Sequence, residues 1–324
     1  INLILFYITG LNLFLYMSNT IRTNILIMGS GAVGCAFGAK LENDKNNNVF
    51  FIARGLHLEA LKSNGLTLRS NKENLNFNVN ASDNPSDFNQ NPNLILLTLK
   101  SFDTDLAISQ LKSVVSKKTQ ILSLQNGIEN YPKLINAFGE ERVVRGFCGI
   151  HAEITNPGVI RCGPGYIFIG ENIHNISERI KWIQSLFTKA NIKCNISKNI
   201  EQDVWRKYAW NCIFNIVTTI EQITISKIFD DPNKIQLCKE LFREIQLVAR
   251  SQGVILDDKI EKLIFDNARN SGDMRTSTLQ DRLKGKRMEY ETFTGFLIRL
   301  AKKHKIHVPT NRIIYEQLKK LDNH

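Results

Sequence analysis

An uninterrupted apolar run, Asn24-Ile-Leu-Ile-Met28, leads directly into Gly29-Ser-Gly-Ala-Val-Gly34 and then into Cys35-Ala-Phe-Gly-Ala-Lys-Leu41. A short continuous apolar run is the pattern of a strand buried on both faces. The glycines after it fall as G-x-G-x-x-G, and the next segment has helical composition, so the motif stands in a strand–turn–helix context. Gly29 permits a tight turn, Gly31 lets backbone approach a pyrophosphate, and Gly34 lets the helix pack against the strand. The helix N-terminus then offers free N–H groups to phosphate oxygens. Gly29, Ser30, Gly31, Ala32, Val33 and Gly34 are therefore expected to cradle a dinucleotide.

The second run, Asn48-Val-Phe-Phe-Ile-Ala53, ends at Arg54. A strand in this place commonly ends in Asp or Glu when the ribose hydroxyls of NAD are to be held. Here it ends in a guanidinium, which can make charge-assisted bonds to a 2′-phosphate, so the pattern favours NADP(H). Leu94-Ile-Leu-Leu-Thr-Leu99 ends in Lys100, and Gln120-Ile-Leu-Ser-Leu124 ends in Gln125-Asn126-Gly127. Carboxyl ends of strands are where ligands sit in doubly wound sheets, which directs attention to Lys100 and Asn126. Arg142-Val-Val-Arg-Gly-Phe147 reads as a further strand. Val159–Cys162 and Tyr166–Ile169 read as two antiparallel strands around Gly163-Pro-Gly165.

Composition excludes several classes. The 324 residues, 43% hydrophobic and 23% charged, suit a globular chain of two domains. Six cysteines without a C-x-x-C pair point to reduced thiols in the cytoplasm, with no disulfide framework and no metal centre. The net charge of +11 is spread among interleaved acids and bases. No nucleic-acid-reading module accompanies it, so nucleic-acid binding is not expected. Residues 1–16 are apolar and uncharged but shorter than a membrane helix needs, and they lack a secretory n-region. Residues 1–22 are set apart as a leader, with Met17 as the expected true start and a membrane anchor as the alternative; no stable membrane insertion is expected.

From about Asp203 the periodicity turns helical, with helices expected over 201–222, 232–252, 257–269 and 289–304. The expected fold is α/β, a Rossmann-type dinucleotide-binding domain over 23–197 followed by an all-α domain over 198–324. Lys207, Asn211 and Asn215 fall at i, i+4 and i+8, so each step drifts only about 40° around a helix. They form one polar stripe amid Trp205, Tyr208, Trp210, Ile213 and Phe214, which is expensive to bury without a partner or ligand. A second constellation is Thr276-Ser277-Thr278-Leu-Gln-Asp281, then Gly285 and Glu289. On one straight helix Ser277 and Glu289 would be about 18 Å apart. Gly285 can end the helix and turn the chain back, leaving Glu289 near the next helix start.

Taken together, GSGAVG at 29–34, LK at 99–100, QNGIEN at 125–130, PGVIRCGPGYIFIGE at 157–171, the Lys207/Asn211/Asn215 spacing, TSTLQD at 276–281 and Gly285-x3-Glu289 resemble the ketopantoate reductase family over roughly residues 23–320. The resemblance implies that NADPH reduces 2-dehydropantoate to (R)-pantoate, a step towards coenzyme A. It implies Lys207 as general acid and Glu289 as a catalytic carboxylate that contacts substrate. Asn211, Asn215, Ser277 and Asn126 match substrate-binding positions, and Asn126 also matches a link between the nicotinamide side and the lysine. Arg54 and Lys100 match positions that favour the 2′-phosphate. The chain departs from the family's usual residues at Thr276, Thr278, Met288, Tyr290, Glu291 and Thr294. Those departures leave the 2-keto acid open, with other branched 2-keto acids as the alternative and a monomer or a homodimer both compatible.

Two other readings compete. A 3-hydroxyisobutyrate-type dehydrogenase would place Gly before its lysine and paired Asn after it, whereas here Trp205-Arg206 precede Lys207. A non-catalytic NADPH sensor would have no need of Lys207, Ser277 and Glu289 together.

Overall fold

The computed structural model describes residues 22–70, 74–171 and 176–322. The expected leader over 1–22 lies, but for its last residue, outside the described residues. Among those described, no helix is long and apolar enough to cross a membrane.

Ten strands form one mixed sheet: β1 (Thr23–Met28), β2 (Asn47–Ile52), β3 (Leu66–Arg69), β4 (Asn74–Phe77), β5 (Asn80–Ser82), β6 (Leu94–Leu97), β7 (Gln120–Ser123), β8 (Val143–Asn156), β9 (Val159–Gly170) and β10 (Lys193–Ile196). The order is β4-β3-β9-β8-β7-β6-β1-β2-β5, with β10 pairing β9. Strands β5, β2, β1, β6, β7 and β8 run parallel, as a Rossmann core requires. Between these strands come α1 (Ala32–Glu42), α2 (Gly55–Asn64), α3 (Thr104–Leu111) and α4 (Asn130–Phe138), and α5 (Glu178–Lys189) lies between β9 and β10.

The continuous apolar runs have their cause in helices on both faces. Ile25 and Ile27 of β1 point into a core shared with Phe37 and Leu41 of α1 and Phe187 of α5. Their neighbours Leu26 and Met28 point the other way, into a core with Leu111 of α3 and Leu134 of α4. Period-two alternation is thus invisible in the sequence because both sets of side chains are buried.

One expectation is corrected here. Gly163-Pro-Gly165 is no hairpin turn: β9 runs unbroken through it, antiparallel to β8. The turn is Pro157-Gly158, where Gly158 takes a φ of +76° that favours glycine. The register slips between Ile150 and Ala152 opposite these residues, so a bulge absorbs the irregular stretch.

After β10 the chain is helical: α6 (Ile200–Trp210), α7 (Ile216–Glu221), α8 (Ile225–Phe229), α9 (Pro232–Ser251), α10 (Asp258–Arg269), α11 (Ser277–Leu283), α12 (Phe296–Lys303) and α13 (Pro309–Leu321). Their core holds Tyr208, Phe214, Phe242 and Phe293, all fully buried. Buried Glu244 of α9 accepts the N–H groups of Thr310 (2.7 Å) and Asn311 (2.9 Å), answering orphan donors at the start of α13. The first and last expected helices are each interrupted. A π-helical turn spans Asn211–Asn215 between α6 and α7, and another spans Glu291–Gly295 before α12. Tyr208, in α6 just before the first π turn, donates to the carbonyl of Phe293 (2.6 Å) within the second.

Candidate active site

The site lies in a cleft of about 960 Å³ between the carboxyl ends of the parallel strands and the helical half. It is large enough for a cofactor and a small substrate. The glycine-rich loop forms one end. Gly29 has a φ of +101°, and a side chain there would meet the backbone of Leu99. A Cβ on Gly34 would meet the carbonyl oxygen of Gly29, whereas one on Gly31 would project into open space. Helix α1 starts at Ala32 with no side-chain cap and no acid in its first turn, so its free N–H groups are available to an anion. Ser30 is buried, and its hydroxyl has no partner among the described residues. An orphaned hydroxyl, open space at Gly31 and an uncapped helix start fit a dinucleotide pyrophosphate. Ser30 to Val33 line this end of the cleft, and exposed Arg54 stands on its rim at the start of α2.

The other end is built by the helical half. Lys207 lies in the last turn of α6, half-buried and facing the cleft. Asn211 and Asn215, both buried, begin and end the π turn that follows. In an α-helix four residues overshoot a full turn, and the wider i→i+5 turn takes back that drift, keeping the stripe on the cleft. Thr218 and Thr219 donate to the carbonyls of Phe214 (2.6 Å) and Asn215 (2.5 Å), satisfying backbone in the turn. Arg282 donates to the carbonyls of Thr219 and Ile220, and Thr276 bonds Thr218 at 2.8 Å. These contacts dock α11 so that Ser277, its first residue, meets Asn215 Nδ2 at 3.4 Å.

Glu289 is buried between the two halves of the fold. The helix before it ends at Leu283, and Gly285 takes a φ of +60°, so the chain does turn back as the spacing implies. Its Oε2 accepts from Lys100 Nζ at 2.8 Å and from Asn126 Nδ2 at 3.3 Å, and its Oε1 from the Ser101 backbone at 3.2 Å. Asn126 in turn accepts a long contact from Asn211 Nδ2 at 3.5 Å. Asn126 therefore joins Glu289 and Asn211. The link to the lysine that the resemblance implies is not made directly: among the described residues no hydrogen bond joins Asn126 to Lys207.

Lys100 also lines the cleft. The resemblance groups it with Arg54 around a phosphate. Its ammonium rests on Asp281 Oδ2 (2.6 Å) and Glu289 Oε2. Burial disfavours the ammonium, but the two carboxylates outweigh this and raise its pKa above the ordinary lysine value. Asp281 is shifted upward by its own burial, against the pull of Lys100. Lys207 is in the opposite situation. Burial pushes its pKa below the ordinary value, and neighbouring Arg206 adds to this. Its neighbours are the ring of Trp210, 4.9 Å from Nζ, and the thiol of Cys148, pushed up to about 12 by burial.

Asp281, Ser101 and Trp210 are the site residues that spacing alone did not assign. Asp281 was visible within TSTLQD, but nothing local pairs it with a residue 181 positions earlier.

Comparison with known proteins agrees with this architecture. The sequence profile of "Ketopantoate reductase PanE/ApbA" matches residues 25–173, and that of its C-terminal domain matches 199–322. The 2-dehydropantoate 2-reductase of Pyrococcus horikoshii is 30% identical over 91% of this chain and 96% of its own length. The Bacillus subtilis oxidoreductase YkpB is 28% identical over 90% of this chain and 97% of its own. Among solved structures, a PanE/ApbA family ketopantoate reductase from Ralstonia eutropha superposes with a TM-score of 0.85 at 29% identity, covering 93% of this chain and 99% of that one. A D-mandelate dehydrogenase shares the fold at a TM-score of 0.85 and 21% identity, over 93% and 99% of the two chains. With both halves matched in order and a relative at 30% identity over nearly the whole length, this chain belongs to the ketopantoate reductase family of oxidoreductases.

Proposed function

We propose that this protein reduces 2-dehydropantoate to (R)-pantoate with NADPH, a step towards coenzyme A. The observation that carries the reading is Lys207, an ammonium with no carboxylate partner among the described residues, facing a cleft that it shares with the glycine-rich loop. When bound, the nicotinamide supplies the hydride for the carbonyl carbon. Lys207 supplies the proton: its Nζ donates to the carbonyl oxygen, where negative charge grows. Asn211 and Asn215 offer amide donors from the same helical stripe, and Ser277 offers a hydroxyl to the substrate carboxylate. Glu289 accepts from the substrate and is itself held by Asn126 and the Ser101 backbone. Gly29 to Gly34 carry the pyrophosphate, and Arg54 selects the 2′-phosphate because no carboxylate ends β2 to hold a free ribose hydroxyl. The six free cysteines suit a reducing compartment, and the reading places the enzyme in the cytoplasm.

The test is NADPH oxidation followed by absorbance, with 2-dehydropantoate and a panel of branched 2-keto acids, repeated with NADH. Preference for 2-dehydropantoate and NADPH, lost in Lys207→Ala, is the expected result. A preference for another branched 2-keto acid would keep the chemistry and change the substrate. NADPH binding without turnover of any keto acid would defeat the reading and favour a sensor.

A further inference from the structure

Every hydrogen bond that the described residues make to the Glu289 carboxylate comes from the sheet half of the molecule. Lys100 and Ser101 follow β6, and Asn126 follows β7. Glu289 itself stands on the helical half, in the segment turned by Gly285. Lys100 Nζ simultaneously takes Asp281 at 2.6 Å, so one ammonium bridges two carboxylates that would otherwise repel each other. We infer that Lys100 is a positioning residue, a clasp between the halves that holds Glu289 and Asp281 in place for the substrate and does not itself select the cofactor phosphate.

Geometry separates this role from phosphate binding. Two of the three ammonium donors of Lys100 are spent on carboxylates, and a phosphate that drew the lysine away would break both charge-assisted bonds and leave the buried Glu289 without a cationic partner. Arg54, exposed on the rim, carries no such engagement in an ion pair among the described residues. The charged groups facing the clasp are Asp281, Glu289 and, next to Asp281, Lys286. Removing the Lys100 charge takes away the ammonium that draws the buried Asp281 carboxyl down, so Asp281 takes up a proton more readily.

The inference rests on the reading of Glu289 as the carboxylate that meets substrate. The test uses the full chain as wild type, Lys100→Met, Lys100→Arg, Asp281→Asn and Arg54→Met. The pH profile of kcat/KM for 2-dehydropantoate is measured alongside NADPH and NADH affinities by nucleotide fluorescence. For Lys100→Met a fall of ~10–100-fold in kcat is expected, as for a misplaced catalytic group. Its acid limb should move to higher pH, and its NADPH-to-NADH affinity ratio should stay within about threefold of wild type while that of Arg54→Met collapses. Lys100→Arg should restore most of the loss. Asp281→Asn, which removes one carboxylate of the clasp, should lower kcat and leave the NADPH-to-NADH affinity ratio unchanged, and this arm decides the matter if Lys100→Met does not fold: an altered ratio with unchanged kcat would overturn the clasp. A collapsed nucleotide preference in Lys100→Met with an unmoved acid limb would overturn the clasp. A wild type that binds NADPH but turns over no keto acid would defeat the proposed function instead, and the affinity ratio would still judge Lys100: unchanged supports the clasp, collapsed refutes it.

Discussion

The ammonium of Lys207 lies 4.9 Å from the centre of the Trp210 ring. The face of an indole attracts a cation without accepting its strongest hydrogen bonds. A carboxylate in the same place would hold Lys207 charged but would occupy its donors. The ring thus favours the protonated form and leaves N–H groups free for a carbonyl oxygen. Substituting Lys207→Ala should lower kcat by ~10²–10⁴-fold, the usual worth of a positioned general acid. In wild type the rate should fall as pH rises through a value below that of an ordinary lysine, because burial lowers the Lys207 pKa. Trp210→Leu removes the attraction, lowers that value further and moves the alkaline limb of kcat/KM to lower pH. An alkaline limb that does not move in Trp210→Leu would show that the ring plays no part in charging the lysine.

The same burial makes Lys207 a stability cost. Its folded pKa lies below the unfolded one, so between the two the unfolded chain binds more protons and stability rises with pH. Below the folded pKa both states are protonated and the penalty is present in full. Lys207→Met should therefore stabilise the unliganded protein at neutral pH by ~0.5–2 kcal/mol, as relief of a destabilised functional site commonly does. The gain should shrink as pH rises from the folded pKa of Lys207 towards the ordinary lysine value, and be gone above it. Denaturant melts at neutral and strongly alkaline pH check both halves of this.

Arg54 follows β2, near where an acid would hold a ribose hydroxyl, and its exposure leaves it free to meet a phosphate. Loss of a charge-assisted bond is worth about 1.5–3 kcal/mol. Arg54→Met should therefore weaken NADPH by roughly 10–100-fold and leave NADH nearly unchanged. Equal losses with both nucleotides would place the 2′-phosphate elsewhere.

Glu244 tests stability apart from chemistry. It lies on α9, and it caps α13 by accepting two backbone N–H groups and the Asn311 side chain at 2.8 Å. Glu244→Ala leaves these donors buried without partners, and a loss of ~2–4 kcal/mol in unfolding free energy is expected. Because α13 contributes nothing to the cleft lining, kcat at a temperature where the variant remains folded should match wild type.

Much of this architecture could be read from local pattern. The strand–turn–helix around Gly29 to Gly34 announces itself because its three parts are contiguous and each has a steric reason. The Lys207, Asn211, Asn215 stripe is legible because helical periodicity alone brings them to one face. The π turn at Asn211–Asn215 is not legible, since its composition does not differ from an α-helix. It is maintained by partners such as the Thr218 and Thr219 hydroxyls and by Tyr208 reaching Phe293. The unbroken course of β9 was hidden for the converse reason. Gly163-Pro-Gly165 carries strong turn residues, but pairing with β8 through a bulge outweighs them.

The sequence by itself determined the order of elements, the dinucleotide loop, the polar helix stripe and the turn at Gly285. All of these follow from interactions within a few residues. Only the tertiary structure decided which groups Lys100 meets. Its partners lie 181 and 189 positions away, and no local propensity encodes a contact at that separation. A lysine at the end of a β-strand can serve a phosphate or a carboxylate equally well by chemistry. Which it meets depends on the helical half folding back over the sheet, driven by burial of a core that includes Tyr208, Phe214 and Phe293.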